Sequence, residues 1–152
     1  MKTALICLVL LVGGCADAPE PQVRLADGSA TQFSHWQGRW VLVNYWAEWC
    51  APCREEIPEL NRLHEERNTS GVIVVGVNYD GLQGEGLRSL IDAMGIKFPV
   101  LLDDPRGRWE QPVPSVLPST FVIAPDGTLV DVLVGPHTYE SFSRATQATT
   151  ST

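Results

Sequence analysis

At 152 residues, 44% of them hydrophobic and 19% charged, the chain has the size and composition of one globular domain with a sizeable core. Eleven basic residues against 18 acidic ones leave a formal charge of −7, with no basic cluster, which argues against nucleic acid as a partner. Only four cysteines are present, so each has to be accounted for singly.

The first fourteen residues, MKTALICLVLLVGG, carry one Lys, an unbroken apolar run from Ala4 to Val12 and two Gly before Cys15. Residues 1–14 read as a signal peptide, too short for a stable spanning helix. Its end, LVGGC, resembles the lipobox of bacterial lipoproteins, which implies that Cys15 is acylated and becomes the new N-terminus. Cleavage after ADA, Ala16 to Ala18, is the alternative and would release a soluble protein. Both place the domain outside the cytosol. Lipoprotein cleavage removes Lys2, so 10 basic residues face 18 acidic ones and the mature charge is −8. That acidic surface favours solubility beside the membrane. Cys7 leaves with the signal and Cys15 takes lipid, so Cys50 and Cys53 are the remaining thiols.

Residues 15–22, Pro-rich and polar, form a tether. The predicted domain covers 23–145. Val23 and Leu25 open a hairpin that turns at Asp27-Gly28 and returns over Ala30 to Phe33. RWVLVNYW, Arg39 to Trp46, is a buried strand. From Cys53 to Asn68 the spacing of Ile57, Leu60 and Leu63 predicts a helix, with Glu55 and Glu56 in a first turn favoured by the dipole and a kink at Pro58. GVIVVGVNY, Gly71 to Tyr79, is a second near-continuous apolar run of the parallel-sheet kind. A helix over Glu85 to Met94 ends at Gly95. FPVLLDD is a third strand, and STFVIAPDGTLVDVLVG a hairpin turning at Asp126-Gly127. Tyr139 to Ala145 is a last short helix, and residues 146–152 a frayed tail. The order predicts an α/β domain with a mixed central sheet and no internal repeat.

The stretch NYWAEWCAPCREEIPEL places Cys50 and Cys53 where strand gives way to helix. A disulfide across two residues closes so small a loop that the chain-entropy estimate is only about 2 kcal/mol, a poor structural staple. Zinc needs two more ligands, and the chain offers His35, His64 and His137 scattered singly. Copper(I), which accepts two thiolates, stays as an alternative. The remaining chemistry is redox exchange. Cys50 at or just before the helix N-terminus meets unpaired backbone N–H groups that stabilise a thiolate, making it the attacking sulfur. Cys53, one turn inside, resolves the mixed disulfide, and Pro52 suits the first turn and tunes the potential.

WAEWCAPC resembles the active site of the thioredoxin superfamily, and the chain from about Val23 to Phe142 is similar to its membrane-tethered TlpA/ResA/DsbE-like branch. Three further stretches carry the likeness: Pro58, where the family kinks its active-site helix; PSVLPSTFVI, similar to the cis-proline segment; and APDGTLV, matching the hairpin after it. The resemblance implies a thioredoxin fold, a mixed sheet flanked by helices with an N-terminal hairpin. It implies that Pro118 is the cis residue, that Leu117 offers backbone to a substrate peptide, and that Trp49, Ala51, Pro52, Leu117 and Pro118 form the substrate surface. Trp49 covers this surface and Trp46 packs beneath. Asn44 stands where cytosolic relatives carry a buried Asp that manages protons for the second cysteine. Glu56, three residues after Cys53, matches an acidic position of the ResA-like group that tunes the cysteines; a solvated Glu in a first turn is the alternative.

Glu48, His64 and His137 read as surface residues, GLQGEG as a flexible turn lacking the Lys of a phosphate loop, and Trp109 with QPVPS as a loop on the partner-binding rim. The expected protein is a monomeric, extracytoplasmic, lipid-anchored thiol-disulfide oxidoreductase. It works without a bound cofactor or metal, reduces disulfides in proteins of the cytochrome c maturation or copper-site assembly type, and takes electrons from a membrane-bound thiol-disulfide donor. Against it stand a copper(I) chaperone, which Met or His beside CAPC would favour, and a disulfide oxidase or isomerase. A peroxidase would need a peroxidatic Cys in a Thr/Pro-rich setting.

Overall fold

The computed structural model describes residues 20–147. The signal segment, Cys15, most of the tether and residues 148–152 lie outside that range. β1 (Val23–Arg24) and β2 (Ala30–Thr31) form an antiparallel hairpin. Its turn is closed by Leu25 N–H donating to Ser29 O, with Gly28 at φ +89° where a side chain would be strained. β3 (Trp40–Trp46) leads into α1 (Ala51–Glu65) and the single turn α2 (Arg67–Ser70). β4 (Val72–Asn78), α3 (Gly84–Ala93) and β5 (Val100–Leu101) complete the parallel part. β6 (Ser119–Ile123), β7 (Leu129–Val134) and α4 (Tyr139–Ala145) follow.

The main sheet has the order β5-β4-β3-β6-β7. β3 pairs in parallel with β4 and β4 with β5, while β6 runs antiparallel to β3 and β7 to β6. The apolar runs at β3 and β4 are near-continuous because both strands are buried on both faces, as the burial of all seven β4 residues requires.

Alternation of side chains splits the core in two. Leu42, Trp46, Val74 and Val122 face the helices, meeting Ile57, Leu60 and Leu63 of α1, Leu87 and Leu90 of α3, and Phe142 of α4. Val41, Val43, Tyr45, Val75 and Phe121 face the other way. That second face carries no α-helix among the described residues; Phe33, Trp36 and Trp109, from 3-10 turns at Phe33–Trp36 and Pro105–Trp109, cover it together with the hairpin. The hairpin also closes the sheet edge: Ala26 N–H donates to Val100 O and Leu102 N–H to Arg24 O.

Several expectations move. The active-site helix begins at Ala51, two residues before the predicted start, so Glu55 and Glu56 fall in its second turn and no acidic residue sits in the first. Pro58 lies inside the helix and does not end it. FPVLLDD yields only the two residues of β5, because the chain then turns away to the 3-10 segment at Pro105. Thr146 belongs to the end of α4 rather than to a frayed tail, since its buried hydroxyl donates to Phe142 O at 3.1 Å.

Candidate active site

The carboxyl ends of the parallel strands β3 and β4 create the site, as expected where a strand hands over to a helix in such sheets. Cys50 is the N-cap of α1, in extended conformation, and its Sγ accepts from Cys53 N–H at 3.2 Å. Pro52 occupies the first turn, where a missing N–H costs nothing. Cys50 and Cys53 are disulfide-bonded, with Cα atoms 5.3 Å apart, and both are buried. Ala51 and Pro52 between them are exposed, and so is Trp49 at 64%. Trp49 stands edge-on to Tyr79, centroids 6.1 Å apart, and its Nε1–H donates to Asp80 at 3.1 Å. Trp46 is fully buried in the same core cluster as both cysteines.

The Leu117-Pro118 peptide is cis, as the resemblance implied. Pro118 is buried, its carbonyl accepts from Gly135 N–H, and Leu117 is half-buried against the cluster that holds the cysteines.

Glu56 is not a solvated first-turn residue. It is 1% exposed, one helical turn after Cys53 on the inner face of α1. Its Oε1 accepts from Asn44 Nδ2 at 2.6 Å and its Oε2 from His137 N–H at 2.8 Å. Asn44, in mid-β3, also donates to Thr120 Oγ1 at 2.9 Å, two residues past the cis-proline. Burial pushes the Glu56 carboxyl up to about 7, against the two hydrogen bonds, which favour the charged form. A carboxyl poised there can hold or release a proton near neutral pH.

Sequence reading located Glu56 and Asn44 separately but missed that they touch. It read His137 as a surface residue, yet its backbone N–H completes the Glu56 cradle from 81 positions away, and a main-chain donor carries no sequence signal. His64 is half-buried, with Nδ1 unpartnered. Trp109 lies away from the cysteines: its Nε1–H donates to Gly127 O, at the β6–β7 turn. The Val113 and Val116 part of its loop does reach the site end, beside Ser119 and Val134. Gly76 was passed over. A Cβ there would lie 2.9 Å from Trp46 Nε1 and 2.9 Å from Phe98 Cε2, so the floor beneath the cysteine loop requires glycine.

The AhpC/TSA family model matches residues 16–132. Thiol-disulfide oxidoreductase ResA of Bacillus subtilis is 32% identical over 123 residues, covering 81% of this chain and 68% of its own. The chain belongs to the AhpC/TSA family. Within this family it is a thiol-disulfide oxidoreductase of the ResA type, with Cys50 and Cys53 as its CxxC pair. The fold agrees with solved structures. A thioredoxin-family thiol:disulfide interchange protein from Chlorobium tepidum superimposes with TM-score 0.70 at 27% identity, over 88% of this chain and 98% of that one. A secreted thiol-disulfide isomerase from Corynebacterium glutamicum gives 0.66 at 25% identity, over 82% and 79%.

Proposed function

We propose that this oxidoreductase works outside the cytosol, anchored by lipid on Cys15, and reduces disulfides in partner proteins. The observation that carries the exchange mechanism is the buried Glu56 carboxyl one helical turn from Cys53, held by Asn44 and His137; the reductive direction follows the tethered branch that the chain resembles. In the reduced enzyme the Cys50 thiolate, favoured by the α1 N-terminus, attacks a substrate disulfide. The substrate S–S bond breaks, one substrate sulfur leaves as a thiolate and takes a proton, and Cys50 is joined to the other. Glu56 as carboxylate takes the Cys53 proton, and the Cys53 thiolate attacks Cys50 Sγ. The second substrate thiol leaves and the Cys50–Cys53 disulfide remains. Two electrons have passed to the substrate. A membrane-bound dithiol donor returns the enzyme to its reduced form by the reverse exchange.

Trp49, Ala51 and Pro52 supply the exposed contact surface around the sulfurs, with Leu117, next to cis-Pro118, offering backbone to an extended peptide. Extracytoplasmic placement is supported by the signal-like residues 1–14 and the LVGGC stretch, and by the secreted character of the Corynebacterium relative. Copper-site and cytochrome c cysteines are the substrate class favoured by the tethered branch. Among the described residues no cluster of three or more His, Cys, Asp or Glu could hold a metal, so a copper(I) role would rest on the two thiolates alone.

Trapping tests the mechanism. Cys53→Ser should accumulate mixed disulfides between Cys50 and partner proteins in cells, resolved by non-reducing gels, whereas Cys50→Ser should abolish turnover and trap nothing. A Cys53→Ser protein that captures no partner would sink the exchange mechanism.

A further inference from the structure

The described chain starts at the pole farthest from the cysteines. Glu20 is held there three times: its backbone O accepts from Gln32 Nε2 at 3.0 Å, and its carboxylate accepts from Ser34 N–H at 3.3 Å and Arg108 Nη2 at 3.4 Å. These contacts sit on the rim of a cleft of about 240 Å³ between Arg39, just before β3, and the β6–β7 turn at Asp126-Gly127. Phe33, Trp36 and Trp109 line it, with Phe33 edge-on to both Trp rings at 4.8 and 5.7 Å and Arg108 stacked 4.3 Å over Phe33. In a chain of net charge −7, the cleft balances Arg39 and Arg108 against Glu20 and Asp126. Repulsion by anionic headgroups is weaker at such a face, and half-buried aromatic rings suit the membrane interface.

We infer that this aromatic and arginine-lined pole is the surface that rests on the lipid bilayer, with Cys50–Cys53 directed away from it. The inference rests on the lipid anchor proposed for Cys15. Tether length then excludes the inverted orientation. Four residues separate Cys15 from Glu20, so full extension allows a reach of about 17 Å. β3 alone, seven residues from this pole towards the cysteine loop, spans about 20 Å. A cysteine-down pose would lift Glu20 farther from the bilayer than its tether allows. The partner that fits the cysteine end is therefore one that reaches over the domain from the aqueous side, whether substrate or donor.

The test uses the lipidated full chain on vesicles of phosphatidylcholine and phosphatidylglycerol, with Cys50–Cys53 oxidised. A fluorophore is attached through Gln37→Cys, at the cleft, or Glu55→Cys, beside the cysteines; both positions are exposed. With headgroup spin-labelled lipid as quencher, the label at position 37 should be quenched several-fold more than that at 55. Glu20→Ala, which frees the entry point, should shrink the difference without releasing the protein. Equal quenching at 37 and 55 in sedimenting protein, or stronger quenching at 55, overturns the orientation and leaves the anchor standing. Failure to sediment with vesicles overturns the anchor and the orientation together. An unchanged difference in Glu20→Ala contradicts the role given to the Glu20 contacts.

Discussion

Glu56 and Asn44 show why single residues decide this chemistry. The folded protein holds the Glu56 proton up to about pH 7, whereas an exposed Glu releases it near 4.5. Between those values the folded state therefore binds the extra proton, and stability falls as pH rises. The contribution is complete below about 4.5 and gone above about 7. Glu56→Gln should remove this slope: the stability difference between wild type and variant, from urea melts at pH 4.5 and 8, should shift against the wild type by on the order of 3 kcal/mol. The Asn44 amide can turn over to meet the new Gln. The same change should slow resolution of mixed disulfides and flatten its rise with pH between 6 and 8; an unaltered pH profile would remove Glu56 from the proton path. Asn44 explains itself from the same contact. An Asp at 44 would put a second carboxylate 2.6 Å from Glu56, and two carboxylates so close must share a proton. In the same melts Asn44→Asp should lose roughly 2–3 kcal/mol above pH 7, the cost of an unpaired buried charge, with much of it restored by adding Glu56→Gln.

At the level of elements, legibility followed burial pattern. β3, β4 and α4 came within a residue of prediction because each is a continuous apolar run or a capped short helix. The Thr138 hydroxyl, paired reciprocally with Ser141, sets the start of α4. The apolar stripe of α1 starts two residues late because the helix cap is a cysteine, whose sulfur does what Ser or Asp usually does, whereas the chemistry of the pair puts Cys50 at the N-terminus, where it lies. The second sheet face was not legible: its cover comes from 3-10 turns whose aromatic residues have no helical or strand period. Gly76 inside β4 is a cost in any strand, and only the ring atoms of Trp46 and Phe98 beside it give the reason. Gly76→Ala should destabilise by roughly 1–3 kcal/mol through overpacking, and should shift the near-ultraviolet signal of buried Trp46. A variant as stable as wild type would mean that the two rings yield freely.

As a whole molecule the protein divides into two poles. One end collects the cysteines at an exposed aromatic rim of Trp49 and Tyr79, over a helix terminus and a buried carboxyl. The other receives the N-terminal chain at Glu20. The CxxC signature made the first pole readable from sequence, along with the cis-proline. The second was invisible there, because Glu20, Ser34 and Arg108 are brought together only by folding. The reductive direction is the central claim, and the reduction potential of the Cys50/Cys53 pair tests it most directly. It would be followed by Trp fluorescence or thiol trapping in dithiothreitol and glutathione buffers. A value near or below about −270 mV, the thioredoxin level, is predicted for a reductase supplied from the membrane. A value near −120 mV would make the protein an oxidant and contradict the account.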